Sequence, residues 1–558
     1  MAPKLILGPL LRYAGASDAT VWVETDAPCE VSVTANGEAH RSPTFTIEGH
    51  HYALVRISGL QPASSYEYAI DLDGAPVWPV VDSGLPPSTI RTIGADGELR
   101  LAYGSCRVAV PHEPPYTLKR GTMKRGGLQG QRFERDALFT LAEEMMRNPD
   151  EHWPDALLML GDQIYADEPS PGTMNFIRSR RDPDDPPGVA DFEEYTRLYH
   201  DAWGHPTIQW LLSTVPSAMI FDDHDVHDDW NASRTWVEQM RAKPWWEERI
   251  IGAFSSYWIY QHLGNLSPDE LETDEIFNRI QEAADATRVL REFAYKADRE
   301  VEGTRWSFHR DFGRVRLIVA DSRAGRVLIP GERSMLDDEE WDWLREKTAG
   351  DFDHLLFGTS MPFLISPGFH HLEAASEAIC DGSLGRPAAR LGERFRQMVD
   401  LEHWSAFHAS FTDLASLLRS VAAGERSQNG PPASVVVLSG DVHHGYLARA
   451  TFGDGGHNPV YQAVGSPLRN PLGIPERLFM RAGWSKPVEG IGHRVSRFAG
   501  VTDPPVRWSL VHDSPWFDNH ISTIKIRDRH AEIKVERSTP EEADEEPRLE
   551  MILEHKLA

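Results

Sequence analysis

The residues best equipped for chemistry in this 558-residue chain stand where apolar runs end. FDDHDVHDDW, residues 221–230, sets five aspartates and two histidines in ten positions directly behind VPSAMI. Like charges at that density must be solvated or neutralised. A calcium loop of the EF-hand kind is excluded, because its D-x-[DN]-x-[DN]-G spacing and closing Glu are missing. Other runs end in similar residue types: LRLAYGSC in Cys106, ALLMLGD in Asp162, SAMIFDDHD in Asp223 and His224, and SVVVLSGD in Asp441 with His443 just beyond. Thiolate, carboxylate and imidazole are metal ligands. One strand-end aspartate is an ordinary turn or helix cap, and one cysteine an ordinary small hydrophobe. Several from distant segments together point to a metal centre.

Positioning such residues requires an α/β layout. The runs just named, with VRLIVADSR (315–323) and HLLFGTS (354–360), are continuously apolar, as central strands buried on both faces must be. Between them, FERDALFTLAEEMMR and LDDEEWDWLREK space apolar residues three and four apart and predict helices. In sheets of this kind ligands gather at the carboxyl ends of strands. The expected fold is therefore a layered α/β domain over 96–540, β-sheets flanked by helices. Residues 1–95 differ. TVWVET, EVSVTA, YALVRI and YEYAIDL alternate with period two between turn residues, which predicts a small all-β sandwich. GLQPASSYEYAI resembles the tyrosine-corner strand of fibronectin type III and immunoglobulin-like (Ig-like) domains, with Leu60, Pro62, Tyr66 and Tyr68 suitably spaced. The sandwich is expected to pack on the larger domain as a structural module, with TIGADGEL (92–99) as the junction. The long Pro-, Gly- and charge-rich loops 111–131, 168–190, 364–388 and 466–490 are expected to wall an active site. The acidic C-terminal tail, 541–558, is expected as a solvated end or a short docking helix.

Composition narrows the function. A net charge of -28 argues against a nucleic-acid-binding surface, which needs basic residues to displace counterions. Three cysteines, Cys29, Cys106 and Cys380, make no disulfide framework and fit a reducing compartment. No membrane span, signal peptide or twin-arginine motif is evident, so the expectation is a cytoplasmic protein. Oligomeric state is not legible. Neither a G-x-S-x-G elbow nor a Walker glycine loop is present, so no covalent nucleophile or P-loop chemistry is indicated.

As a set, GSCR (104–107), LGDQIYADE (160–168), FDDHDVHDDW and LSGDVHHG (438–445) resemble the successive blocks of the PhoD-like alkaline phosphatases, a branch of the calcineurin-like metallophosphoesterases. The resemblance covers roughly residues 1–540, since that family also places a small sandwich before its catalytic domain. It implies a dinuclear centre of Fe3+ and Ca2+, with Zn2+ or Mn2+ as alternative occupants. By that resemblance Cys106, Tyr165 and His443 hold iron, Asp162 bridges, Asp223 and Asp441 serve calcium, and His224 lies near the scissile phosphate. The chemistry is compatible: thiolate, phenolate and carboxylate suit a trivalent ion, and carboxylate oxygens suit calcium. Asp441 and His443, two apart in extended backbone, would point the same way, which favours His443 over His444. The family places its ligand directly before the histidine, which favours Asp223 over Asp222. Asp225, Asp228 and Asp229 are expected as supporting acceptors or helix-start residues. Arg107 and Arg323 are candidate clamps for phosphate oxygens. Trp230, Trp245 and Trp246 either wall a substrate or belong to the core.

The implied activity is metal-dependent hydrolysis of a small-molecule phosphoester, monoester or diester: a hydroxide held by two metals attacks phosphorus in line, and His224 protonates the leaving oxygen. The alternative is a non-catalytic metal-binding or docking protein with a vestigial site.

Overall fold

A computed structural model of the chain describes residues 2–94, 98–114, 116–117, 133–149, 153–182, 188–300, 303–396, 401–453, 455–540 and 546–558. The period-two segments near the N-terminus form two antiparallel sheets. One runs in the order Leu5–Ala14, Ala19–Thr25, His50–Ile57, Phe45–Ile47; the other runs Glu38–Pro43, Glu30–Ala35, Ser65–Leu72, Ala75–Trp78, with Thr89–Arg91 also pairing Ser65–Leu72. Val21, Val23 and Val55 from the first sheet share one core with Val31, Val33 and Ile70 from the second. Tyr66 Oη accepts a hydrogen bond from the Gln61 backbone N–H at 2.9 Å, the back-reaching contact of a tyrosine corner. Of the junction 92–99, residues 95–97 lie outside the described residues.

Polar contacts fasten this all-β region to the rest of the chain. Tyr68 Oη donates to the Ser213 carbonyl at 2.7 Å, and the buried Arg12 guanidinium donates to the carbonyls of Ser217, Tyr260 and Gln261. Glu24 is buried, accepts from Tyr260 Oη at 2.9 Å and lies 2.9 to 3.0 Å from His200 Nε2 and His50 Nδ1.

The apolar runs are strands of two mixed sheets flanked by helices. The first is ordered Ser217–Ile220, Ala156–Leu160, Leu99–Gly104, His520–Arg527, His530–Thr539, Arg548–Lys556, with the first three parallel. The second is ordered Phe308–Phe312, Val315–Ala320, His354–Thr359, Ser434–Ser439, Val460–Val464, Tyr446–Phe452, Val506–Leu510, parallel from Val315 through Val464. They pack face to face: a Cβ on Gly358 of the second sheet would lie 3.3 Å from the Leu160 side chain of the first. The expected helices are Ala137–Arg147, N-capped by Asp136, and Asp338–Lys347, N-capped by Asp337.

Two expectations need correction. Arg548–Lys556, expected within a solvated end or docking helix, pairs antiparallel with His530–Thr539 and extends the first sheet. A nine-residue amphipathic stretch gains little as an isolated helix, whereas a sheet edge offers it a ladder of backbone hydrogen bonds. The acidic residues 541–545 lie outside the described residues. The segments 364–388 and 466–490 are largely helical, as Pro367–Cys380 and Ile474–Gly483, with Lys486–Phe498 following. Segment 168–190 contains the helix Pro171–Arg180; its residues 183–187, and 115 and 118–131 of the first loop, lie outside the described residues.

Candidate metal centre

Where the two sheets meet, at the carboxyl ends of their parallel strands, the backbone turns abruptly. Cys106, Asp162, Asp441 and His443 have φ of 54°, 53°, 67° and 51°, a left-handed conformation that costs a non-glycine residue about 1 kcal/mol or more. Neighbouring backbone holds these turns in place. The Cys106 N–H donates to the Gly161 carbonyl at 3.3 Å and the Arg107 N–H to the Asp162 carbonyl at 3.1 Å. Gly161 itself has φ +98°, and a Cβ there would sit 2.5 Å from the Asp222 Cβ. Only glycine fits before Asp162.

These turns also overturn the argument from extended backbone at Asp441 and His443, because the His443 N–H folds back onto the Asp441 carbonyl at 2.8 Å. His443 is nonetheless the histidine brought to the cluster. His444 turns away, with Nδ1 2.6 Å from the Val442 carbonyl and its ring stacked on Phe517, and burial pushes its pKa down to about 4.

Potential ligand atoms of Cys106, Asp162 and His443 lie within 4.8 Å of one another, as do those of Asp162, Asp223 and His224, and those of Asp222, Asp223 and Asp441. Asp162 belongs to the first two groups and Asp223 to the last two. Cys106 Sγ is within 3.2 Å of the hydroxyls of Ser105 and Ser466. Tyr165 is buried, its Oη accepting from Asn470 Nδ2 at 3.1 Å, and its ring lies 4.6 Å from that of His224.

The donor set fits a cation. Both carboxylate oxygens of Asp162 are buried without a hydrogen-bond partner. Burial, reinforced by neighbouring acidic groups, pushes the pKa of Cys106, Asp162, Tyr165 and Asp222 upward. A positive ion among them would reverse that penalty.

His224 sits on the 3-10 turn Asp223–Asp225. Its Nδ1 is 3.0 and 3.1 Å from the two carboxylate oxygens of Asp167. Burial opposes a charged ring, but Asp167 and Asp223 outweigh it and hold the His224 pKa well above the usual imidazole value. Asp225 is buried; its Oδ2 accepts from the backbone N–H groups of Asp162 and Asp222 at 2.9 Å each, tying the two strand ends together. The Asp229 N–H donates to Asp223 Oδ2 at 3.0 Å, and Asp228 Oδ1 lies 3.9 Å from His224 Nε2.

The two arginines do not face open space. Arg107 is buried, its Nε donating to Asp136 at 2.8 Å and its Nη1 to the Ala202 carbonyl at 2.6 Å, so it anchors the start of the helix Ala137–Arg147. Arg323 is 0% exposed; it donates through Nε to Asp222, lies 2.7 Å from Glu402 and 3.1 Å from Asp223, and reaches to 3.8 Å from Asp441. Its contacts are with the carboxylates of the cluster and with Glu402. Trp230 and Trp246 are core residues, Trp230 packing on Phe221 and Phe254, while Trp245 is partly buried against them.

Sequence reasoning missed Glu402, His403 and Glu373. His403 Nε2 is 3.2 Å from Asp441 Oδ2, and its Nδ1 is 2.7 Å from Glu373 Oε1. His403 lies in a loop ahead of the turn Trp404–Ala406 and not behind a strand, so a search of strand ends passes over it.

Asp223, His224, Asp441, His443 and His403 stand at one end of a cavity of about 580 Å3. Its remaining walls are mostly apolar and come from the helices Pro367–Cys380, Arg386–Arg396, Ile474–Gly483 and Lys486–Phe498.

Residues 127–471 match the family described as PhoD-like phosphatase, and residues 2–90 match a domain of unknown function, DUF7800. No curated protein matches the chain. A solved structure described as PhoD aligns with 99% of this chain and 92% of its own, at 11% identity and a TM-score of 0.55, a likeness of fold. A maltogenic amylase from S. marinus aligns with 96% of this chain and 77% of its own, at 9% identity and a TM-score of 0.14. A type III pullulan hydrolase from Thermococcus kodakarensis aligns with 96% and 94%, at 10% identity and 0.18; neither carries a structural argument.

Proposed function

Because the chain belongs to the PhoD-like phosphatase family, we propose that it is a metal-dependent hydrolase of phosphoric esters acting at the Asp162 cluster. The observation that carries this reading is Asp162 itself: it is shared by two groups of potential ligands, with both oxygens buried and unpartnered. Cys106, Tyr165 and His443 would hold one ion and Asp223 and Asp441 the other, with Asp162 between them. Thiolate and phenolate favour Fe3+ on the first side and carboxylates favour Ca2+ on the second. When bound, the cations supply Lewis acidity toward phosphate oxygens and toward a water.

The chain's own residues do the rest. Asp167 holds His224 as imidazolium, and from the cavity wall that ring donates a proton to the departing oxygen. Arg323 pairs with Asp222, Asp223 and Glu402 and holds these side chains in place. Asp225 locks the Asp162 turn to the Asp222 turn. We read residues 1–95 as a fibronectin type III/Ig-like structural module, supported by the contact of Tyr66 with Gln61, and 96–540 as the catalytic domain, to which the strand Arg548–Lys556 adds.

The test is hydrolysis of 4-nitrophenyl phosphate and bis(4-nitrophenyl) phosphate by protein purified without chelator, with elemental analysis of the same sample. Turnover of either ester that chelation abolishes and metal restores is expected. No turnover of either after metal reconstitution would refute the enzyme.

A further inference from the structure

The cavity beside the cluster is built for more than a phosphate. Its polar end carries Asp223, His224, Asp441 and His443, while Leu372, Ile379, Leu472, Met480 and Val495 make much of the rest aliphatic. About 580 Å3 is the size of a small-ligand site, far larger than a phosphoryl group requires. A phosphoester filling it must carry an apolar group next to its charged one.

The cavity wall continues outward as exposed apolar surface. Eight of the fifteen large apolar side chains exposed among the described residues lie on the three helices Arg386–Arg396, Ile474–Gly483 and Lys486–Phe498. Side chains three and four apart share a helix face, so Leu391 extends the face of the cavity-lining Phe395, and Ile491 and Phe498 extend that of Val495. Leu391 is 67% and Phe498 75% exposed. Phe479 does both jobs, lining the cavity, stacking on Phe369 at 4.6 Å and remaining 55% exposed. The helix Pro367–Cys380 packs beneath all three, so they form one lip.

The charge of that lip runs against the rest of the protein. Its three helices expose seven Lys and Arg against two Glu, within a chain of net charge -28. Apolar residues interspersed with cations are what an anionic lipid surface attracts. Two of the helices begin after residue 471, where the family match ends.

We propose that the substrate is a lipid-like phosphoester taken from an anionic lipid surface on which this lip rests, its phosphate at Asp223, His224 and Asp441 and its aliphatic chain along the apolar wall of the cavity. The substrate half rests on the phosphoesterase reading above; the surface half does not.

Two measurements on the full chain separate them. The first compares kcat/KM for methyl, butyl and octyl members of two series, alkyl phosphates and 4-nitrophenyl alkyl phosphates, all as monomers in solution. A rise of about tenfold or more from methyl to octyl is expected, and it should shrink when Ala375→Phe narrows the cavity. A flat series for whichever ester is hydrolysed overturns the substrate class and leaves the phosphoesterase standing; no hydrolysis of any member overturns both. The second is co-sedimentation with vesicles of pure phosphatidylcholine and of equimolar phosphatidylcholine and phosphatidylglycerol. Binding to the mixed vesicles only is expected, weakened by salt and by the double substitution Ile474→Ser, Phe498→Ser. Absence of binding, or equal binding to both, overturns the lipid surface. Self-association lost in the double variant, without vesicle binding, assigns the lip to a second copy of the chain and overturns it too.

Discussion

His224 and Asp167 are in direct contact beside the cluster, Nδ1 of the ring held 3.0 and 3.1 Å from the two oxygens of one carboxylate. Both residues come from loops behind neighbouring strands, and the contact fixes which ring nitrogen is left for substrate. Asp167→Asn should remove the main charge that keeps the ring protonated. The alkaline limb of the pH–kcat profile should then move to lower pH, and His224→Ala should cost about 100-fold in kcat. Esters with poor leaving groups should suffer more than aryl esters. An unmoved pH profile in Asp167→Asn would end the assignment of His224 as acid.

Arg323 distinguishes a structural role from a phosphate clamp. Arg323→Gln leaves Asp222, Asp223 and Glu402 buried without their counter-charge, which should cost roughly 3–5 kcal/mol in chemical denaturation of the metal-free protein. A clamp would instead raise KM at unchanged stability.

Metal identity is open to spectroscopy. With Fe3+ bound by Cys106 and Tyr165, the purified protein should be coloured by ligand-to-metal charge transfer, and Tyr165→Phe should shift or remove that band. Asp162→Asn should lower metal content at both positions, with at least about a 100-fold loss of affinity. A colourless, zinc-loaded and active protein would refute the iron assignment alone.

The ties between the N-terminal sheets and the helix Phe192–Trp203 should make stability depend on pH in both directions. Burial would raise the Glu24 pKa, but hydrogen bonds from His200 and His50 outweigh it and hold it low; this contribution is present above the ordinary carboxylate value and lost as pH falls through the lowered one. Burial would lower the His50 pKa, but Glu24 and Glu193 hold it high; this contribution is complete below the ordinary imidazole value and lost as pH rises through the raised one. Unfolding free energy should peak between those limits. Glu24→Gln should flatten the profile and cost about 3 kcal/mol at the peak.

Composition and periodicity along the chain set the elements and the kinds of side chain at their ends. Continuous apolar runs such as SVVVLS can satisfy their backbone and stay dry only as buried strands, and period-two runs such as EVSVTA only as half-buried ones, so strands and their ends were legible. Cys106, Asp162, Asp223 and Asp441 followed, because they stand at those ends. Which way those side chains point, and what they meet, depends on the packing of distant segments. Arg107 and Arg323 look alike in sequence as polar residues behind strands, yet each donates to a buried carboxylate, 29 and 101 residues away. The left-handed turns at Asp441 and His443 replace the extended backbone that local pattern suggests, because contacts with the neighbouring strand ends hold them there. His403 joins Asp441 only through folding, across 38 positions of chain that no periodicity spans. The strand Arg548–Lys556 lies at a sheet edge, and the exposed apolar lip exists only because four helices pack around one cavity. Local pattern reports what a segment can bury; which partner buries it is set by segments far away in the chain.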